Sequence, residues 1–266
     1  MYVYSRVVYL RVYKFIRKAF VLRTRQKYIN IVLWIRQKSI NIVLRVRQYL
    51  HMIRQRSLVH MNRDILKQII IDQKEMYLDN PLIFRDYDLE ENVNYCFVGI
   101  RRTGKSYMMY QQIHNLMNDG IPSSQIVYVN FEDERLLEVG VDDLNTILEI
   151  GIEFSGSKGK PYLFLDEIQN VDGWEKFVRR VADMKYRINI TGSNSKMLSK
   201  EIASTLGGRF MIVNVFPYSF KEYLSANHIE NVRLDQMSTK QRADIVSQYE
   251  QYVTCGAFPE LVDIKN

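Results

Sequence analysis

The chain has 266 residues, 47% of them apolar, enough for one domain of ordinary size and an appendage. Its longest uncharged run is thirteen residues, Ser106 to Asn118, half of it polar, which excludes a membrane-spanning helix of about 18–20 apolar residues. The net charge of +7 belongs wholly to residues 1–60, with fourteen Lys/Arg and no Asp or Glu; the other 23 basic residues face all 30 acidic ones, so 61–266 carry −7 and charge does not mark the main body as a nucleic-acid binder.

The first sixty residues repeat themselves. RQKYINIVLWI (25–35) is followed by RQKSINIVLRV (36–46), and Arg25, Arg36 and Arg47 recur every eleven residues. Three readings compete: a basic segment lying on an anionic membrane surface, a segment binding nucleic-acid phosphates, or a leader produced by a start codon assigned too far upstream. The third is preferred, because MNRDILKQIIIDQKEMYLDN, opening at Met61, reads as an ordinary amphipathic helix with Ile65, Ile69 and Ile70 on one face. Cys96 and Cys255 lack metal-ligand spacing, and a reduced, cytoplasmic compartment is expected.

Next comes an apolar run, Tyr95–Val98, predicted as a buried strand. It leads into GIRRTGKS, residues 99–106, which satisfies G-x-x-x-x-G-K-[ST] at Gly99, Gly104, Lys105 and Ser106. The residue types follow from the chemistry. Backbone N–H groups must wrap a β-phosphate, and glycine allows the close approach. A helix starting near Gly104 turns its positive end to the phosphates, and Met109, Ile113 and Leu116 carry its helical spacing. The Lys105 ammonium reaches the β- and γ-phosphates, and the Ser106 hydroxyl is placed for Mg²⁺. Arg102, Thr103 and Tyr107 complete the expected nucleotide-binding stretch. Arg101 and Arg102 either hold phosphate charge or face solvent.

QIVYVNFEDERL (125–136) reads as a strand from Ile126 to Val129, turning polar at Asn130. PYLFLDEIQN (161–170) reads as a buried parallel strand, Tyr162–Leu165, ending in Asp166 and Glu167. Adjacent carboxylates after a buried strand are costly without a task. Asp166 is the expected Mg²⁺ partner, and Glu167 the base that orients and deprotonates water. The helix at 170–185 places Trp174, Phe177, Val178 and Val181 on a core-facing side. RINITGSNS (187–195) is a further strand, ending where Ser193 or Asn194 would sense the γ-phosphate or cap the next helix. RFMIVNVF (209–216) is the fifth. Arg209 either contacts a γ-phosphate, in its own or a neighbouring subunit, or simply flanks the strand. No residue evidently reads the base, and no N-K-x-D guanine reader is present.

GIRRTGKS, VYVNFEDERL, YLFLDEIQN, ITGSNS, LGGRFMIVNVFPYSFKEYL and YVTCGAFPELV, in that order, resemble AAA-type ATPases of bacteria and archaea whose roles are poorly defined. The likeness runs from about Met61 to the last residue. FEDERL and the pairing of FPYSFKEYL with GAFPE are its more specific parts. The resemblance implies a three-layer α/β P-loop NTPase fold, a parallel sheet whose acidic strand is separated from the phosphate-loop strand by another strand. It implies ATP and Mg²⁺ as ligands, Glu167 as base, and Asn130 holding that glutamate inactive until a protein partner engages. Members of the group usually continue into further helical elements and a second domain, so the chain is expected to be truncated. The organisation expected is a basic extension (1–60), an ATPase core (61–223) and the start of a helical region (224–266). Two alternatives stand beside hydrolysis: an ATP-dependent switch with little turnover, and a nucleic-acid-associated ATPase using the basic leader.

Overall fold

The computed structural model describes residues 61–90, 92–193, 204–229 and 237–263. The basic leader and Asn194 lie outside the described residues. Helix α1, Arg63–Asp72, begins at Asn62, whose side chain accepts from the Asp64 N–H. After Gln73 the short α2, Lys74–Leu78, continues the chain. The buried face of α1 is Leu66, Ile69 and Ile70. Ile65, expected there, is 45% exposed. The inward stripe continues through Gln73 to Tyr77, both buried. Positions 66, 69, 70, 73 and 77 follow the i, i+3, i+4, i+7 rule, which leaves Ile65 on the flank.

Five strands form one parallel sheet: β1 (Tyr95–Val98), β2 (Ile126–Asn130), β3 (Tyr162–Asp166), β4 (Arg187–Gly192) and β5 (Met211–Asn214), in the order β2-β3-β4-β1-β5. The acidic strand β3 is therefore separated from the phosphate-loop strand β1 by β4, as the resemblance implied. Strand β1 and residues 163–165 of β3 are apolar because both faces of the sheet are covered, while β4 brings the buried polar Asn189 and Thr191 between them. Cys96 and Val98 of β1 pack into one cluster with Leu163 and Leu165 of β3, while Tyr95 and Phe97 enter another with Phe164. The first face is covered by α1 and by two helices named here α4 (Val141–Ser155) and α5 (Trp174–Asp183). Trp174, Phe177, Val178 and Val181 are buried as expected. The second face is covered by α3 (Lys105–Asn118), with Tyr77 of α2 beside it.

Beyond β5 come α6 (Phe220–Ala226), α7 (Thr239–Cys255) and α8 (Pro259–Asp263). A capping box starts α6, with Ser219 accepting from the Glu222 N–H and Glu222 accepting from the Ser219 N–H. Tyr218, Tyr223, Leu224, Ala226 and Val262 form a third apolar cluster, and Ile83 packs on it from ahead of β1. In an all-parallel sheet the carboxyl ends of the strands share one edge, where open α/β sheets bind ligands. The turn after β1, the acids ending β3 and the residues after β4 meet there.

Candidate functional site: the carboxyl edge of the sheet

The loop after Val98 is held from several sides. A methyl group on Gly99 would lie 2.4 Å from the Val215 carbonyl oxygen, so close approach is what requires glycine there. Gly104 has φ 89° and caps α3, so at that position the left-handed conformation is the requirement. Arg102 also lies in the left-handed region, at φ 67°. Thr103 is fully buried. Its hydroxyl donates to the Ile100 carbonyl at 3.0 Å.

Lys105 is 5% exposed. Its ammonium donates to the Ile100 carbonyl at 3.2 Å and stands 3.5 Å from Glu167 Oε1. The Ser106 hydroxyl, next on α3, acts on the Asp166 carboxylate to favour its charged form. Tyr107 is exposed, with its ring 5.3 Å from that of Tyr110. The two arginines turn outward. Arg101 pairs with Glu132 at 3.5 Å, and Arg102 with Glu260 of α8 at 3.1 Å.

Asp166 is wholly buried. It accepts from the Tyr128 hydroxyl at 2.7 Å and from the Thr191 hydroxyl. Burial pushes its carboxyl above the usual range, against the opposing pull of Ser106, Thr191 and Tyr128. Glu167 has φ 51°. Its N–H donates to Thr191 Oγ1 at 2.8 Å, so one hydroxyl organises both acids. The Glu167 carboxylate accepts from Ser193 Oγ at 2.9 Å and from the Gln169 amide. Asn130, expected to restrain this glutamate, instead accepts from the Glu132 N–H at 2.9 Å through its side chain.

Arg209 departs from one expectation. Its carbonyl accepts from Asn94 Nδ2 at 3.5 Å, just ahead of β1. It therefore sits at the amino edge of the sheet. The four residues of β1 alone span about 13 Å at ~3.3 Å per residue. That distance removes Arg209 from this chain's own phosphate loop. It pairs with Asp183 at 2.5 Å. The readings that remain are a contact with a neighbouring subunit and a residue that simply flanks the strand.

Three residues escaped the sequence reading. Tyr128 carried a signal, since a tyrosine hydroxyl inside a buried strand needs a polar partner. Thr191 sits among small polar residues with nothing to single it out. Arg85 lies in the irregular stretch before β1 and is 5% exposed; no periodicity marks it.

Among the described residues no group of three or more His, Cys, Asp and Glu could hold a metal. Mg²⁺ does not need such a cage, because it is bound by one or two protein oxygens together with substrate phosphates. The Ser106 hydroxyl and the Asp166 carboxylate, which the hydroxyl helps to keep charged, fit that demand. Among the described residues no helix is long and apolar enough to cross a membrane.

A glycine-lysine turn between β1 and α3, facing paired acids on a strand one place removed, defines a P-loop NTPase domain of the AAA type. The chain belongs to the AAA domain family, whose model matches residues 92–224. An uncharacterized protein of Methanocaldococcus jannaschii is 37% identical over 219 residues, 81% of this chain and 47% of that protein. An uncharacterized protein of Haemophilus influenzae is 34% identical over 191 residues, 71% of this chain and 44% of that protein. The chain thus spans about half the length of the curated relatives it matches. Among solved structures, AMPPCP-bound DnaA from Aquifex aeolicus aligns with 65% of this chain and 53% of its own, at 14% identity and a TM-score of 0.42.

Proposed function

We propose that the chain binds ATP at residues 99–107 and hydrolyses it in a Mg²⁺-dependent reaction, with Glu167 as the base. One observation carries this reading: Lys105 lies 3.5 Å from Glu167, the residue next to Asp166, so the loop and the acids form one cluster. The loop N–H groups and the positive end of α3 bind the phosphates, and Lys105 adds a mobile cation. Ser106 and Asp166 would hold Mg²⁺, which supplies neutralisation of charge on the phosphate oxygens.

Lys105 is occupied by the Ile100 carbonyl and by Glu167. A triphosphate offers its ammonium a stronger acceptor. Moving to the phosphates takes one of three partners from Glu167 and leaves that carboxylate freer to take a proton from water. Ser193 remains on Glu167 and orients it. Arg209 is assigned to the nucleotide of a neighbouring copy. The ATPase core is assigned to residues 61–223.

A switch with little turnover is the second reading, favoured by the hold of Ser193 and Gln169 on the Glu167 carboxylate. Nucleotide turnover and calorimetric binding by the parent, Lys105→Ala and Glu167→Gln separate these cases. Hydrolysis requires that Glu167→Gln bind ATP while losing turnover, and that Lys105→Ala bind at least about 30-fold more weakly, the worth of a charge-assisted bond in a buried site. Binding without turnover in the parent supports the switch. Equal affinity in Lys105→Ala rules the loop out as the site.

A further inference from the structure

Arg85 has no part in the chemistry above, yet five hydrogen bonds leave its buried guanidinium. Nη1 donates to the Thr103 carbonyl at 2.9 Å. Nη2 donates to the carbonyls of Phe216 at 2.9 Å and Pro217 at 3.2 Å, and Nε to Glu222 Oε1 at 3.0 Å. The rings of Tyr87 and Tyr218 lie 5.3 and 5.2 Å from it. Its backbone is fastened to α3, with N–H to Gln111 Oε1 at 2.8 Å and C=O from Gln111 Nε2 at 3.0 Å.

The bond to Thr103 has a consequence for the loop. A trans peptide is planar, with its C=O and N–H pointing opposite ways. Holding the Thr103 carbonyl toward Arg85 turns the Gly104 N–H away from it, and Gly104 is the glycine that opens α3. The other end of the bridge is the FPYSF stretch (216–220), which seats GAFPE (256–260). Tyr218 N donates to the Ala257 carbonyl at 2.7 Å, and the Tyr252 hydroxyl donates to the Tyr218 carbonyl at 3.0 Å. GAFPE in turn reaches the loop, since the Pro259 ring lies 3.8 Å from where a Gly104 Cβ would stand.

We propose that Arg85 is a positioning residue of the phosphate loop: bonded at once to Thr103, to the FPYSF carbonyls and to Glu222, it fixes the Gly104 N–H for phosphate and makes anion affinity depend on the seating of the C-terminal segment. This rests on the reading that the loop binds a triphosphate. It also accounts for the pairing of FPYSF with GAFPE.

The test measures binding of ATP and of inorganic pyrophosphate to the full chain by calorimetry, alongside thermal melts, for Arg85→Met, Arg85→Lys, Glu222→Gln and Lys105→Ala. Arg85→Met is expected to weaken both ligands about tenfold, the lower end of what a charge-assisted bond is worth, because Arg85 acts through the loop and not on the ligand itself. Arg85→Lys restores the charge without the planar fork and recovers only part of that affinity. Glu222→Gln weakens both ligands about threefold. A brace with no role in anion binding would lower the melting temperature and leave both affinities at the parent value below the melt. That result in Arg85→Met overturns the proposal, and if Arg85→Met does not fold, the same result in Glu222→Gln does. Loss of binding in Lys105→Ala with parent affinity in the Arg85 variants removes this inference alone. Parent affinity in Lys105→Ala removes the underlying site as well.

Discussion

Substituting Gly99 by alanine tests the loop where the sheet itself constrains it. The added methyl would stand 2.4 Å from Val215 O and 3.0 Å from Thr103 Oγ1. Merely reaching 3.0 Å from Val215 O demands a shift of about 0.6 Å, the difference between those two distances. Neither side yields easily. Val215 N donates to the Val98 carbonyl at 2.7 Å, extending the pairing of β1 with β5. The next residue, Phe216, is held through its carbonyl by Arg85 at 2.9 Å. Overpacking of this kind costs about 1–3 kcal/mol. For a unit of about 200 residues that lowers the melting temperature by about 2–12 °C, at ~2–4 °C per kcal/mol. Gly104→Ala meets no atom closer than 3.6 Å, and its cost, about 1–2 kcal/mol, comes from the left-handed backbone alone. Urea melts followed by circular dichroism, paired with nucleotide titrations, read both effects. Gly99→Ala should also weaken nucleotide binding, because the displaced Val215 carbonyl lies on the path to Arg85. A Gly99→Ala protein with the parent's urea midpoint and nucleotide affinity would refute the close-approach argument.

Asp166→Asn should weaken Mg²⁺-dependent nucleotide binding at least about tenfold while leaving the free protein as stable as the parent or more so, because it removes a wholly buried charge. The Asp166 carboxyl is raised, so its protonation favours the fold; the parent gains stability from this residue as pH falls toward the carboxylate range, and the variant loses that gain. Asp133 behaves oppositely: the Arg135 guanidinium holds it down to about 2, so its contribution is complete above the ordinary value of 3.8 and is lost as pH falls from there through about 2. The full shift would amount to about 2.4 kcal/mol, discounted to about 1 kcal/mol because Arg135 is 41% exposed; urea midpoints at pH 5 and 2.5 should fall less in Arg135→Ala than in the parent, and equal falls would refute the pairing.

What could be read from the sequence was whatever a short window decides. The strand Tyr95–Val98, the loop at 99–106 and the acids ending β3 are local patterns, and each stands where its pattern put it. The position of β4 between β1 and β3 came from the resemblance, because no window encodes which strands pair. Ile65 was misplaced because two stripes of α1 are apolar, and only the partner face of the sheet chooses Leu66 over it. Arg209 was misjudged in its own subunit because a residue before a strand and a residue after one look alike in sequence, while in a parallel sheet they lie at opposite edges. Arg85 could not be found at all. Its partners, from Thr103 to Glu222, lie 18 to 137 residues away.

The structure offers its own criterion for a working site, independent of motifs: where the chain bears costs that local rules do not explain. Among the described residues, four other than glycine have positive φ: Arg102, Glu167, Lys185 and His228. Lys185 and His228 are accounted for by helix termination. Lys185 N bonds Ala182 O and Tyr186 N bonds Val181 O after α5, and His228 N bonds Ser225 O and Ile229 N bonds Leu224 O after α6. Those are the paired bonds that close a helix through a left-handed residue. Arg102 and Glu167 end no helix. Each carries a left-handed cost of about 1–2 kcal/mol without that return. Both stand at the carboxyl edge of the sheet, beside the buried charges of Lys105 and Asp166. Strain and buried charge accumulating at one edge mark it as the place where the rest of the core sustains a site, and that conclusion needs no reference to the order of glycines and lysine in the loop.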